Sequence, residues 1–166
     1  MTLRLAALLL ICGLAPAAFA QPAAPPPTPP APAPAIGAPL SLQQARAVMA
    51  AAMAEGRRQN LTLAVAIVEP SGALVAFERM DGVQYASLDV AQDKARSAAL
   101  YRRATLAFSQ SVSQGRVGVL SLRGAVAIEG GVPLVTGGRL VGAIGVSGAS
   151  SAEDGVVAAA GAAALR

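Results

Sequence analysis

Residues 138–154 read GRLVGAIGVSGASSAED, and this stretch decides between two kinds of fold. Its glycines fall at every third position, at Gly142, Gly145 and Gly148. A dinucleotide-binding loop needs the spacing G-x-G-x-x-G, and a Walker loop needs a lysine after its last glycine. Neither pattern is present, and the residues alternate as they do along a strand. We therefore predict a glycine-rich strand over residues 140–146, approached closely by another backbone, a helix or a flat ligand.

The serines after this strand indicate the start of a helix. Ser150 or Ser151 can accept a hydrogen bond as the N-cap, and Glu153 or Asp154 stands at the reciprocal position of a capping box. The free amides of such a helix start can also receive a carboxylate or another anionic group. The stretch is therefore interpreted as a seam between a strand and a helix, with an anion site as the alternative.

The rest of the chain predicts hairpins and helices rather than βαβ units. Ser41 and Ser87 each precede apolar residues at three- and four-residue spacing, which is typical of capped amphipathic helices. The segments LTLAVAIVEP and LVAFERM predict two strands of a β-hairpin. The predicted elements are helices over residues 42–56, 88–104, 106–115 and 152–165, and strands over residues 61–70, 74–80, 125–128, 133–136 and 140–146. This order predicts an α+β domain with an antiparallel sheet of about five strands flanked by helices in two layers.

The first twenty residues are typical of a secretory signal peptide. Arg4 precedes an apolar run over residues 5–14, and an A-x-A exit ends at Ala20. The run is short for a helix that crosses a bilayer, although an uncleaved anchor is the alternative. We expect cleavage after Ala20, a periplasmic or secreted protein, and loss of Cys12, the single cysteine.

Residues 21–39 read QPAAPPPTPPAPAPAIGAP and consist mostly of proline and alanine. Such a composition cannot bury a core and favours an extended, semi-rigid conformation. We predict a Pro/Ala-rich linker over residues 21–39 and one folded domain over residues 40–166.

The absence of histidine excludes several kinds of site. The chain has no His at all, so a Ser-His-Asp triad and histidine metal ligation are excluded. Once Cys12 is removed, zinc and iron–sulfur sites have no sulfur ligands from cysteine. The formal net charge of +4 is too weak and too scattered a signal for nucleic acid, which we do not expect as a partner.

Four motifs together resemble a known family. In chain order they are AVAIVEPSGALVAFERMDG, SLDVAQDKARSAA, EGGVPLV and GRLVGAIGVSGASSAEDGVVAAAG. They resemble the GlcG/HbpS family of small haem-associated domains, which is similar to the C-terminal domain of PduO-type proteins. The resemblance extends over residues 40–165 and implies a profilin-like or PAS-like fold that assembles into dimers or larger rings.

The resemblance also implies a ligand and a partner. Some members bind haem, and one exported branch looks like a haem-sensing partner of a membrane kinase, so a membrane sensor or transporter is an expected partner. This sequence departs from members that use an axial histidine. Met80 and Tyr85 are the weak candidates that remain as iron ligands, with Tyr101 and Lys94 behind them.

Six residues are predicted to contact a small anionic ligand. Arg79 and Asp81 lie where a predicted strand leaves the sheet, a place where pockets often form, and an arginine there can clamp a carboxylate. The alternatives are a surface ion pair for Arg79 and a purely dipole-stabilising role for Arg102 at its helix end. The complete set is Arg79, Asp81, Lys94, Arg102, Ser147 and Gly148.

Three functions follow from these observations. The first is an exported protein that binds haem, another tetrapyrrole or a small ligand. The second is an enzyme acting on a small 2-hydroxy or 2-oxo acid through Lys94, Tyr85, Asp81 or Glu129, for which no general acid and base pair is evident. The third is a purely structural module that self-associates. We expect a binding protein rather than an enzyme.

Overall fold

Two capping boxes fix the starts of the first and last helices. In the computed structural model, which describes residues 32–166, Ser41 and Ser150 each accept a hydrogen bond from the backbone amide three residues on. In turn, the side chains of Gln44 and Glu153 accept hydrogen bonds from the backbone amides of these two serines. The α-helices are α1 (Leu42–Arg58), α2 (Ala86–Tyr101), α3 (Leu106–Ser113) and α4 (Ser151–Ala163), and a 3-10 helix covers Val117–Ser121. The strands are β1 (Ala35–Ile36), β2 (Ala64–Val68), β3 (Leu74–Arg79), β4 (Gly131–Thr136) and β5 (Arg139–Ser147).

The predicted glycine-rich strand is the centre of the sheet. β5 pairs antiparallel with β4 on one edge and with β2 on the other. β2 pairs in turn with β3, again antiparallel. The two-residue β1 lies beside the start of β5 in parallel orientation. β5 therefore contacts three of the other four strands, and every residue after Arg139 in it is buried.

Helices cover both faces of the sheet. Along β2, Ala64, Ala66 and Val68 pack with the alanines of α2. Val65 and Ile67 point to the opposite face and pack with α1 and α4. The two faces differ in side-chain size, since the face under α2 is lined almost entirely by alanine. A small-residue face brings α2 close to the sheet.

The glycines of β5 make this close approach sterically allowed. A Cβ built on Gly145 would collide with the Ala91 carbonyl oxygen and the Ala95 amide of α2. A Cβ on Gly142 would lie 2.5 Å from the Val68 carbonyl oxygen and 2.7 Å from a Leu40 methyl group. The close approach predicted from the sequence therefore comes from a helix backbone at Gly145.

The predicted α+β class with a five-stranded sheet flanked by helices is confirmed. The details differ in that β1 is parallel and in that helices lie on both faces. The strand predicted over residues 125–128 is wrong, because this segment turns back onto α2, where the Val126 amide donates to the Ser97 hydroxyl at 3.0 Å. The expected cap at Ser87 is also wrong: α2 begins at Ala86, two residues before the predicted start, and Ser87 is buried in its first turn.

The signal-peptide prediction, for residues 1–20, and most of the linker prediction lie outside the described residues. Within the described part, Ala35 and Ile36 of the predicted linker lie extended against β5. The domain boundaries stay a prediction. Among residues 32–166, no helix is long and apolar enough to cross a membrane.

We expect Gly145→Ala to destabilise the fold by about 3 kcal/mol or more, because the new methyl group would meet the α2 backbone, which cannot rotate away. Urea denaturation followed by circular dichroism measures this change. Gly118→Ala is the matched control: no atom lies within 4 Å of its added Cβ, and we expect little change. Equal unfolding midpoints for the two variants would contradict the close contact between α2 and β5.

Candidate functional site

Lys94 is the most deeply buried of the predicted site residues. Only 1% of it is exposed. Its ammonium group donates to Asp154 Oδ2 at 2.7 Å and to the Val146 carbonyl oxygen at 2.9 Å. Asp154 is buried as well, and its other carboxylate oxygen accepts from the Ala149 amide at 3.1 Å. The two buried charges therefore bind each other and nearby backbone groups, as buried charges require.

The glycine pair at the start of β4 lets Lys94 reach this partner. Lys94 lies on α2, whereas Asp154 lies on α4, across the sheet. A Cβ built on Gly130 would lie 2.8 Å from the Lys94 nitrogen and 3.0 Å from Asp154 Cβ. A Cβ on Gly131 would collide with the Lys94 carbonyl oxygen. The EGG turn therefore leaves the space through which the lysine passes from one face to the other.

Burial governs the ionisation of Asp154. Desolvation raises the pKa of its carboxyl above the ordinary value, and the hydrogen bond and charge of Lys94 oppose that rise. The Ala149 amide opposes it as well. Lys94, rather than solvent, is therefore the main group that favours the charged form of this carboxylate.

A second group of polar residues lies in a cleft at the end of β3. The cleft has a volume of about 450 Å³. Arg79 and Asp81, both predicted from the sequence, line it together with Met80. Met53 and Arg57 of α1 and Glu78 of β3 complete the lining. The sequence prediction of a pocket at this strand exit thus coincides with a cleft, and it missed the residues that α1 contributes.

Ser147 and Gly148 lie near this end of the sheet but are covered. Ser147 pairs with Ala64, which pairs on its other side with Arg79. Two strand spacings of about 4.8 Å separate the Ser147 and Arg79 backbones. Gly148 is in close contact with the Thr62 carbonyl oxygen, and a Cβ on it would collide there. Ser147 and Arg79 therefore share one row of the sheet, although only Arg79 is exposed.

Arg102 and Tyr85 stand at opposite ends of α2. Arg102 ends the helix in a left-handed conformation and donates to the Pro34 carbonyl oxygen at 3.2 Å. Tyr85 immediately precedes the helix, and 84% of it is exposed. The 16 residues of α2 span about 24 Å. Arg102 is thus remote from the cleft, whereas Tyr85 follows Asp81 by four positions.

The residues considered for acid–base chemistry do not form one site. Glu129 lies against the N-terminal part of α4, where a Cβ on Gly155 would collide with its carboxylate. Lys94 is enclosed, and Asp81 and Tyr85 are exposed elsewhere. Within residues 32–166, no group of three or more Asp, Glu, Cys or His side chains could hold a metal ion. These four side chains are therefore not assembled around one cleft.

Comparison with known proteins gives a consistent match. A family model described as haem degrading protein HbpS-like matches residues 40–163. Protein GlcG of Escherichia coli K12 is 40% identical over 108 residues, which cover 65% of this chain and 81% of GlcG.

Solved structures agree in fold. A double mutant of Streptomyces reticuli HbpS has a TM-score of 0.72 at 29% identity, covering 87% of this chain and 99% of that one. A PduOC:haem complex has a TM-score of 0.70 at 27% identity, covering 77% of this chain and 96% of that one.

The Lys94→Met substitution should destabilise the protein by about 3–5 kcal/mol, because it leaves the Asp154 carboxylate buried without a cation. Lys94→Met/Asp154→Asn removes both charges and should recover most of this loss. Urea denaturation at neutral pH measures both. Arg96→Met is the control and should cost little, since Arg96 forms only exposed polar contacts: an ion pair with Asp93 at 3.5 Å and a hydrogen bond to Gln92 at 3.4 Å. A Lys94→Met penalty no larger than that of the control would contradict the buried pair.

The stability that is lost in Lys94→Met should also depend on pH. Without its cation, Asp154 keeps its burial, so its pKa rises further above the ordinary value. An acid whose pKa is raised by folding destabilises the folded state fully above the raised pKa, and this penalty falls towards zero as the pH drops from there to the ordinary pKa. The loss of folding free energy in Lys94→Met should therefore be full at neutral pH and become smaller as the pH falls through the raised pKa. Denaturation in buffers from neutral to mildly acid pH measures this change. Lys94→Met/Asp154→Asn should show no such recovery.

Proposed function

The chain belongs to the HbpS-like family, and from this premise we propose that it is an exported haem-binding protein that holds the iron without histidine. The observation that carries the proposal is the family match over residues 40–163. The similarity to the PduOC:haem complex, at 27% identity, supports haem as the ligand. Because the chain has no histidine, an axial ligand must come from another side chain.

The side chains of the β3 cleft fit the chemistry of this ligand. Arg57 and Arg79 carry guanidinium groups, which match carboxylates in bidentate geometry and would bind the propionates. Glu78 and Asp81 balance the two arginines in charge. The propionates would therefore be held by directed hydrogen bonds rather than by a net positive charge of the cleft.

Met80 is the residue of the cleft that would hold the iron. Methionine sulfur is one of the side-chain groups that hold haem iron in proteins. Met53 also lines the cleft, but it is almost fully buried in the core, whereas Met80 is half-buried. The Met80 methyl group would lie 3.2 Å from a Cβ on Gly56, so α1 supports the side chain on one side. Tyr85, exposed before α2, is the alternative oxygen ligand.

The protein would bind and orient the cofactor, which would supply any redox or oxygen chemistry. Export is supported by the signal-peptide pattern of residues 1–20. We also propose self-association, and a membrane sensor or transporter as the partner, on the strength of the resemblance to the exported branch of the family.

Titration of the purified protein with haemin tests the proposal. We expect a saturable Soret shift at a fixed stoichiometry. Arg57→Gln/Arg79→Gln should weaken binding about tenfold or more, because it removes charge-assisted hydrogen bonds. Met80→Leu should keep the stoichiometry and change the spectrum of the bound iron.

Matched substitutions on the same helix serve as controls. Arg46→Gln/Arg58→Gln removes two exposed arginines of α1 outside the cleft, and Met49→Leu changes a core methionine. Neither should alter affinity or spectrum. The absence of a saturable Soret shift would overturn haem binding, and a normal spectrum in Met80→Leu would overturn the assignment of the ligand.

A further inference from the structure

A long stretch of the chain contains basic residues but no acidic ones. Between Asp93 and Glu129 the sequence contains no Asp or Glu. The cations of this interval are Lys94, Arg96, Arg102, Arg103, Arg116 and Arg123. Lys94 is neutralised by Asp154 and Arg96 pairs with Asp93. The other four form no salt bridge within residues 32–166, so the surface at the C-terminal end of α2 is positively charged.

Apolar side chains project from the middle of this charged surface. Val117 and Leu120 lie on the 3-10 helix and are 59% and 60% exposed. Residues three apart eclipse each other on a 3-10 helix, so the two side chains project from one side. Leu122 follows and is 43% exposed. This turn has no buried residue, so its apolar side chains are displayed outward instead of joining the core.

Arginines stand at both ends of the exposed turn. Arg116 precedes Val117, and Arg123 follows Leu122; both are exposed. Arg103 is exposed as well, with its guanidinium 5.7 Å from the centre of the Phe108 ring. Residues 116–123, which we call the basic apolar turn, therefore combine protruding aliphatic groups with flanking cations.

The basic apolar turn is anchored to the helices beneath it. The Arg116 amide donates to the Ser111 carbonyl oxygen at 2.9 Å. The Tyr101 hydroxyl donates to the Arg123 carbonyl oxygen at 2.8 Å. These bonds hold both ends of the turn against α3 and α2. The backbone of the turn is thus held in place before binding, so that only the side chains need to be ordered.

We propose that the basic apolar turn binds the surface of an anionic lipid bilayer. Aliphatic side chains flanked by arginines match the two layers of such a surface: the acyl boundary takes the apolar groups, and the anionic headgroups pair with the guanidinium groups. Nucleic acid offers no apolar layer for Val117 and Leu120, and the turn has no aromatic side chain for stacking on bases. An acidic protein partner and a second copy of the chain are separated by the experiment below.

Vesicle flotation tests the proposal on the chain purified from an exporting host, with its N-terminus established by mass spectrometry. We expect binding to phosphatidylglycerol-containing vesicles and little binding to pure phosphatidylcholine vesicles. Arg116→Gln/Arg123→Gln should weaken binding about fivefold for each arginine lost, and Val117→Ser/Leu120→Ser about tenfold or more in total.

Control pairs elsewhere on the surface match each change in chemistry. Arg46→Gln/Arg58→Gln and Leu42→Ser/Val156→Ser remove exposed side chains of α1 and α4, and they should bind as the unaltered protein does. All variants share one N-terminus, so any affinity that residues 1–31 confer is common to them. Equal binding of the turn variants and the controls would overturn the proposal.

A tryptophan reporter gives an independent readout. The chain contains no Trp, so Leu120→Trp introduces a single indole. Its emission should shift to the blue on anionic vesicles, and that of Leu42→Trp should not. A blue shift that appears without vesicles and rises with protein concentration would assign the turn to contact between copies and overturn the proposal. A blue shift that appears only with an acidic protein, and not with vesicles, would also overturn the proposal.

Discussion

The buried ion pair of Lys94 and Asp154 is the constraint that ties the layers of this domain together. A lysine without solvent needs an anion, and the nearest one lies on the helix across the sheet. The lysine can reach it only past two residues without side chains, Gly130 and Gly131. The cap at Ser150 in turn places Asp154 in the first turn of α4. One charge pair thereby fixes the relative positions of α2, β4, β5 and α4.

The parts of the fold that could be predicted are those with local causes. Capping at Ser41 and Ser150 requires only residues three positions away, and strand alternation requires only the neighbours. The partner of Lys94 stands 60 positions away in the sequence, and no spacing rule connects the two. The parallel β1 could not be predicted either, because a proline- and alanine-rich composition specifies an extended chain but not the strand that it lies against.

The residues predicted from the sequence include only the part of the β3 cleft lining that comes from the end of β3, for a similar reason. Arg79, Met80 and Asp81 are consecutive residues at the end of a predicted strand, and this position was sufficient to predict a pocket there. Arg57 and Met53 come from α1, which packs beside β3 only in the folded chain. On a helical wheel, Met53 belongs to the apolar face and Arg57 to the basic end, so neither carries a signal of its own. Residues brought to a site by packing need the tertiary structure.

The two proposed surfaces lie at opposite ends of α2, and this separation has a functional consequence. The basic apolar turn is held at the C-terminal end of α2 by the hydrogen bond from Tyr101 to the Arg123 carbonyl oxygen. The β3 cleft lies towards the N-terminal end, just before Tyr85 in the chain. A helix of 16 residues, about 24 Å long, stands between them. A protein bound to a bilayer through the turn would therefore keep the cleft clear of the lipid, so that membrane contact and ligand exchange would not compete for the same side chains.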